Sequence, residues 1–148
     1  MKDIEYLNDM VIIRDFTRKD CQNGLLETLK EVWSIDEIKD QTIDEFVLNN
    51  NHMVVAELNG EIVGTATLHL QKKLIRNGVT AGLIEDVAVR EILRGQNIGY
   101  LLIQKLIERA KHLGCYKVIL SCFPERVNFY ERNGFFQESI LMRLNNEL

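Results

Sequence analysis

A β-branched run, Leu83-Ile84-Glu85-Asp86-Val87-Ala88-Val89, gives way to the basic, glycine-containing turn Arg94-Gly95-Gln96-Asn97-Ile98-Gly99. A helical pattern starts at that turn. Ile98, Leu101, Leu102, Leu106, Ala110 and Leu113 recur at helical spacing, with Gln104, Lys105, Glu108, Arg109 and Lys111 between them. A strand, a turn and an amphipathic helix in this order aim unpaired backbone N–H groups and the positive end of a helix dipole at one point. Such a point binds phosphate. Asn97 can stand in the turn because asparagine tolerates left-handed backbone angles. The turn lacks a lysine followed by Ser or Thr, which argues against a Walker-type nucleoside triphosphatase. A plain strand-to-helix connection would use the same residues, so the turn alone does not decide.

The flanking sequence predicts the scaffold. Met10 to Arg14 reads as a short strand, and Thr17 or Asp20 as the cap of a helix carrying Leu25, Leu26, Leu29 and Val32. A short helix around Ile43, Phe46 and Val47 ends at Asn49-Asn50-Asn51. His52 to Leu58 and Ile62 to Leu70 are β-rich runs joined by Asn59-Gly60, a strong hairpin signal. Gly114 stops the central helix, Cys115 to Cys122 follows as a strand, and Pro124 opens a helix ending at Gly134. Phe135 to Leu144 completes the pattern as a last strand. With no repeat or linker, residues 1–148 make one domain, a mixed α/β sheet covered on both faces.

Three further positions carry candidate chemistry. Glu85 and Asp86 occupy consecutive positions of an otherwise apolar strand, so they are expected to face opposite sides, and an unpaired buried carboxylate is costly. Either each finds a basic or backbone partner, or the strand borders a cleft where one acid accepts a proton from an amine. Tyr130 lies near Val127 on its helix, so packing alone explains it; at a cleft its phenol would donate to a leaving group. Ser121 and the cysteines have no visible histidine partner for a nucleophilic triad. His52, His69 and His112 are scattered without metal-site spacing, so no metal is expected.

The formal charge of -4 argues against a general nucleic-acid binder, although Lys72, Lys73 and Arg76 form a local basic cluster. No apolar run reaches membrane-spanning length, and Met1 to Glu5 shows no signal-peptide core. Cys21, Cys115 and Cys122 cannot all pair, and the last two read as small buried hydrophobes. A cytoplasmic, reduced protein is expected.

Several runs together resemble the GNAT superfamily of acyl-CoA N-acyltransferases, and within it the branch that acetylates glucosamine 6-phosphate. They are Ile13-Arg14-Asp15-Phe16, Asp20-x-x-x-Gly24, Lys73-Leu74-Ile75-Arg76, Ile84-Glu85-Asp86-Val87-Ala88-Val89, the Arg94 to Gly99 turn, Gly114-Cys115-Tyr116-Lys117-Val118-Ile119-Leu120 and Phe129-Tyr130-Glu131-Arg132-Asn133-Gly134-Phe135. The resemblance implies the GNAT fold, a mixed, mostly antiparallel central sheet with helices on both faces. It implies acetyl transfer from acetyl-CoA to the 2-amino group of D-glucosamine 6-phosphate by direct attack in a ternary complex, a step toward UDP-N-acetylglucosamine.

In that resemblance the backbone of Val87, Ala88 and Val89 pairs with the pantetheine arm. Arg94, Gly95, Gln96, Asn97, Ile98, Gly99 and Tyr100 hold the pyrophosphate. Lys73, Leu74, Ile75, Arg76, Glu85 and Asp86 line the sugar site. Tyr116 and Lys117 reach the sugar phosphate from the partner chain of a homodimer, and Tyr130 serves the departing thiolate. Several positions depart from the family pattern. Trp33 stands for a common threonine, with Ser34 beside it. Arg76 and Leu83 replace histidines, and Ser121 replaces an acidic residue that contacts the amino sugar. Arg126 replaces an asparagine near the cofactor. Asn145 stands for an arginine, and Arg143, on the same predicted strand face, is the candidate to supply that charge. Because most departures fall on the acceptor side, another small amine remains open as substrate, as does a non-catalytic acyl-CoA-binding domain.

Overall fold

The computed structural model describes residues 10–146, so the N-terminal residues 1–5 read above lie outside it. Five strands form one sheet in the order β1-β2-β3-β4-β5: β1 (Ile12–Asp15), β2 (His52–Leu58), β3 (Glu61–Lys72), β4 (Thr80–Val89) and β5 (Cys115–Leu120). The first four are antiparallel neighbours, and β5 runs parallel to β4. A parallel neighbour needs a crossover, supplied here by the long helix α3 (Ile98–His112). Two shorter helices, α1 (Leu25–Lys30) and α2 (Asp40–Leu48), precede the sheet's main hairpin, and α4 (Val127–Arg132) follows β5. The expected mixed sheet with helices on both faces is what the chain forms.

The sequence patterns set each piece. Asn59 and Gly60 both take positive φ, 53° and 82°, as a two-residue turn between twisted strands requires. The apolar stripe of α3 buries Ile98, Leu102, Ile103, Leu106 and Ala110 against Val54, Ala56, Ala66, Leu68 and Ile84 on one sheet face. Leu25 of α1 packs with Val55 and Ile62 in a second, smaller core.

The Asp20…Gly24 motif proves structural. Asp20 is 1 % exposed and takes a bidentate pair from Arg14, at 2.7 and 2.9 Å, together with the Thr17 amide at 2.7 Å. Burial alone would raise its pKa; Arg14 and Thr17 outweigh that and hold the carboxyl below the usual carboxylate range. Gly24 sits at φ 100°, where an added Cβ would lie 2.9 Å from the Ile62 carbonyl oxygen. Thr17 and Asp20 cap only a one-turn 3-10 helix, Arg18–Gln22, and α1 begins after Gly24 instead.

Asp20→Asn should therefore cost about 3 kcal/mol of unfolding free energy at neutral pH, read by urea denaturation. The folded pKa is depressed, so the contribution is full above the unfolded value of about 4 and fades as pH falls through the lower folded value. The gap between variant and wild type should close only in acid. A constant gap across that range would assign the cost to lost shape rather than charge.

Two further expectations fail. Phe135 to Leu144 is not a strand: Phe136, Ile140 and Met142 are 79 %, 89 % and 88 % exposed, and no strand among the described residues pairs with the segment. The alternation suits a sheet edge, but a strand exists only through a neighbour that takes its backbone groups. Cys115 is only partly buried and Cys122 is exposed, because the apolar run that suggested burial ends at Leu120, the last residue of β5.

Candidate active site

β4 decides where a ligand can lie. It stays paired with β3 as far as Gly64↔Val89, yet its pairing with β5 ends at Ile84↔Leu120. From Glu85 to Val89 one edge of β4 has no strand beside it. Within the same stretch the register slips: Asp86 and Val87 together oppose the single residue Ala66. Asp86 takes up the extra residue with φ 53°. Such a bulge bends and twists its strand, and here it coincides with the parting of β4 and β5. Glu85 and Asp86 are consequently both exposed, instead of one facing each side. Val87 and Val89 pack partly on the core and Ala88 is 2 % exposed, so these three offer backbone rather than side chain to the gap.

The turn follows at the open end. Gly95 and Asn97 have φ 79° and 69°, and Asn97 is the residue just before α3. Among the described residues, no backbone N–H from Gly95 to Tyr100 makes a hydrogen bond of normal geometry to another backbone group; the next one, of Leu101, goes to the Asn97 carbonyl at 3.1 Å. Ile98 points its side chain into the core, 1 % exposed, and contributes only its N–H. Gln96 is partly buried, while Arg94 is exposed, donates to the Val89 carbonyl at 3.0 Å and passes 4.0 Å from Glu31. Gly95, Asn97, Gly99 and Tyr100 line a cleft of about 280 Å³ with Phe129 and Arg132. At Gly99 an added Cβ would meet the Phe129 ring at 3.2 Å, so the glycine sets how closely α3 and α4 approach.

Tyr130 stands beside this cleft in an edge-to-face aromatic row, 4.9 Å from Phe129 and 6.0 Å from Phe135 between ring centres. Burial, then the nearby Cys122 thiol, push its pKa above the ordinary tyrosine value. The phenol thus keeps its proton and acts as a donor at any physiological pH.

Residues 17–135 match the sequence model of the Acetyltransferase (GNAT) family. The chain belongs to the GNAT acetyltransferase family. Curated relatives include the glucosamine 6-phosphate N-acetyltransferase of Candida albicans, 36 % identical over 78 % of this chain and 83 % of the relative. That of Arabidopsis thaliana is 33 % identical over 88 % and 93 %. The crystal structure of glucosamine-6-phosphate N-acetyltransferase from Arabidopsis thaliana superposes with a TM-score of 0.85, at 31 % identity, covering 93 % of this chain and 99 % of that one.

On this GNAT scaffold the remaining sequence-predicted residues divide into two groups. Ser121 directly follows Leu120, the residue opposite Ile84, so it lies at the same level of the sheet as Glu85 and Asp86. The second group gathers at the other end of β4. Arg76 stacks its guanidinium 5.2 Å over the Tyr116 ring, and Lys117 reaches the same ring at 5.7 Å. Lys73 holds the base of this hairpin through its N–H to Val79. Leu74 is 99 % exposed at the tip, and Ile75 beside it is also exposed. Lys117 pairs with Ala81, four residues before Glu85, which puts the groups about 13 Å apart along the strand. One chain alone does not bring them together. Arg143 lies in the unpaired C-terminal segment and donates to Asn145 at 2.6 Å, so the strand face they were expected to share is absent within the chain. Phe129 and Arg132, three apart on α4 and hence on one helix face, line the cleft and were missed; that spacing was the available signal.

Proposed function

We propose that the protein transfers acetyl from acetyl-CoA to the 2-amino group of D-glucosamine 6-phosphate, releasing N-acetyl-D-glucosamine 6-phosphate and CoA. The observation that carries this reading is the junction of the unpaired β4 edge with the unbonded N–H groups of Gly95 to Tyr100, opening directly beside Glu85 and Asp86. Donors clustered ahead of a helix suit a diphosphate, and a free strand edge suits an extended amide-bearing arm. The names of the curated relatives support the acceptor.

Acetyl-CoA would supply the thioester carbon and a thiolate leaving group. The residues at hand do the rest. An acidic neighbour suits the acceptor amine, which must shed a proton before its lone pair can attack. N–H groups on the open β4 edge suit the carbonyl oxygen as it gains charge. The Tyr130 hydroxyl suits the sulfur. No nucleophilic side chain is required, and holding two substrates in line provides much of the acceleration.

The working unit is a homodimer in the cytosol. Its acceptor site joins Glu85, Asp86 and Ser121 of one subunit to Tyr116 and Lys117 of the other, which would span the 13 Å gap. The exposed apolar residues of the C-terminal segment would be covered by the second copy. The three free cysteines accord with a reducing compartment. Among the described residues no helix is long and apolar enough to cross a membrane.

Calorimetric titration of glucosamine 6-phosphate into the protein holding CoA should show binding, and CoA release should be faster with this sugar than with other amino sugars or polyamines. Absence of turnover with glucosamine 6-phosphate, alongside turnover of another amine, would move the assignment to that amine.

A further inference from the structure

Among the described residues, only two buried side-chain polar atoms lack a hydrogen-bond partner, Thr67 Oγ1 and His69 Nε2. Both belong to β3, and both face one residue. Thr67 lies directly opposite Glu85 in the register, while His69 is two residues further on the same face, with Nε2 3.4 Å from a Glu85 carboxylate oxygen. Buried polar groups are almost always satisfied in a folded protein, so an orphaned imidazole nitrogen 3.4 Å from an exposed carboxylate marks an arrangement built for something.

The far side of the imidazole is fixed. His69 Nδ1 lies 2.6 Å from Asn51 Oδ1, and Asn51 Nδ2 donates to the Phe46 carbonyl at 3.0 Å. The second bond sets which end of the amide faces the ring. Because Oδ1 only accepts, Nδ1 must carry hydrogen. Nε2 then faces a carboxylate oxygen across 3.4 Å, and two lone pairs there would repel. A hydrogen bond between the two needs a proton at Nε2 or on the acid. The present separation is long for that bond, as is common before a substrate draws the groups together.

We propose that His69 is a positioning residue for the acceptor substrate. Anchored by Asn51, it holds Nε2 beside one oxygen of Glu85, 3.4 Å away, and leaves the other oxygen for the acceptor. The Glu85 side chain is 51 % exposed, which leaves room for that second oxygen to meet the amino sugar. Thr67, directly across the strand pair from Glu85, keeps its hydroxyl unbonded on the same sheet face. This inference rests on the glucosamine 6-phosphate reading for its substrate, but not for the contact itself.

The test pairs His69→Leu and His69→Gln with Glu85→Gln. With saturating acetyl-CoA, His69→Leu should lower kcat/KM for glucosamine 6-phosphate about tenfold, the loss expected for a hydrogen bond to a charged group. His69→Gln, whose amide can still donate to Glu85, should recover most of it, and acetyl-CoA affinity should hold in both. In the Glu85→Gln background His69→Leu should cost little more. An equal loss in both backgrounds, or equal loss of acetyl-CoA binding, would make His69 merely structural and overturn the proposal. Nitrogen-15 spectra of the imidazole in the free protein give a readout without substrate. Hydrogen should reside on Nδ1, and the Nε2 resonance should move on Glu85→Gln. A bare Nδ1, or an unmoved Nε2, sinks the pairing even if the sugar is acetylated; a correct spectrum with no turnover of the sugar faults only the acceptor assignment.

Discussion

Tyr130→Phe is expected to lower kcat by about a hundredfold or more, with acetyl-CoA affinity unchanged within about twofold. The substitution removes one oxygen from a ring whose packing partners, Phe129 and Phe135, meet it edge to face through carbon. The aromatic row should survive, so binding surfaces formed with Phe129 should survive with it. What disappears is the hydroxyl proposed to donate to the departing sulfur. Burial holds the pKa above its ordinary value near 10, and the donating form is the protonated one. Any alkaline loss of rate due to Tyr130 should therefore have its midpoint above pH 10 in the wild type and be missing from the variant. Single-turnover rates with bound acetyl-CoA, measured from neutral pH upward, would show both effects. An unchanged neutral rate would return Tyr130 to a packing role.

Mixing two inactive variants should restore activity. Glu85→Gln removes the acid on the β4 side, while Lys117→Ala with Tyr116→Ala removes the distant cluster about 13 Å along the sheet. If each site draws these groups from different subunits, a mixed dimer holds one intact site and one doubly damaged site. Each variant alone should fall about a hundredfold, the loss expected if both sets make charged or aromatic contacts to a polar substrate. After co-refolding at equal amounts, half of the dimers are mixed, and the mixture should recover about a quarter of wild-type activity. Recovery of nothing, with dimers confirmed by sedimentation, would place both sets in one subunit or remove the second set from the site.

How much was legible beforehand varied by element. The Asn59-Gly60 hairpin, the α3 stripe, the Gly114 stop and the Pro124 start were readable because each is a local rule: two left-handed residues, a 3.6-residue period, a φ, a missing N–H. The turn ahead of α3, with its left-handed Gly95 and Asn97, was readable for the same reason. Phe135 to Leu144 misled because alternation describes what a strand prefers, not whether a neighbour exists to receive it. Cys122 misled because it falls just past the edge of β5, where composition is no guide to cover.

The candidate site was half legible. Residue types and spacing chose Glu85, Asp86, the turn and Tyr130, but consecutive strand positions suggested that the two acids face apart. Only the sheet shows that β4 bulges at Asp86 and leaves β5 at the same level, exposing both. Nothing local marks His69 and Asn51, 18 residues apart and joined to Glu85 only through strand pairing. Short-range sterics and periodicity are written into the chain and fixed its elements and its fold class. Which side chains share a cleft depends on register, and register is set by all strands packing at once.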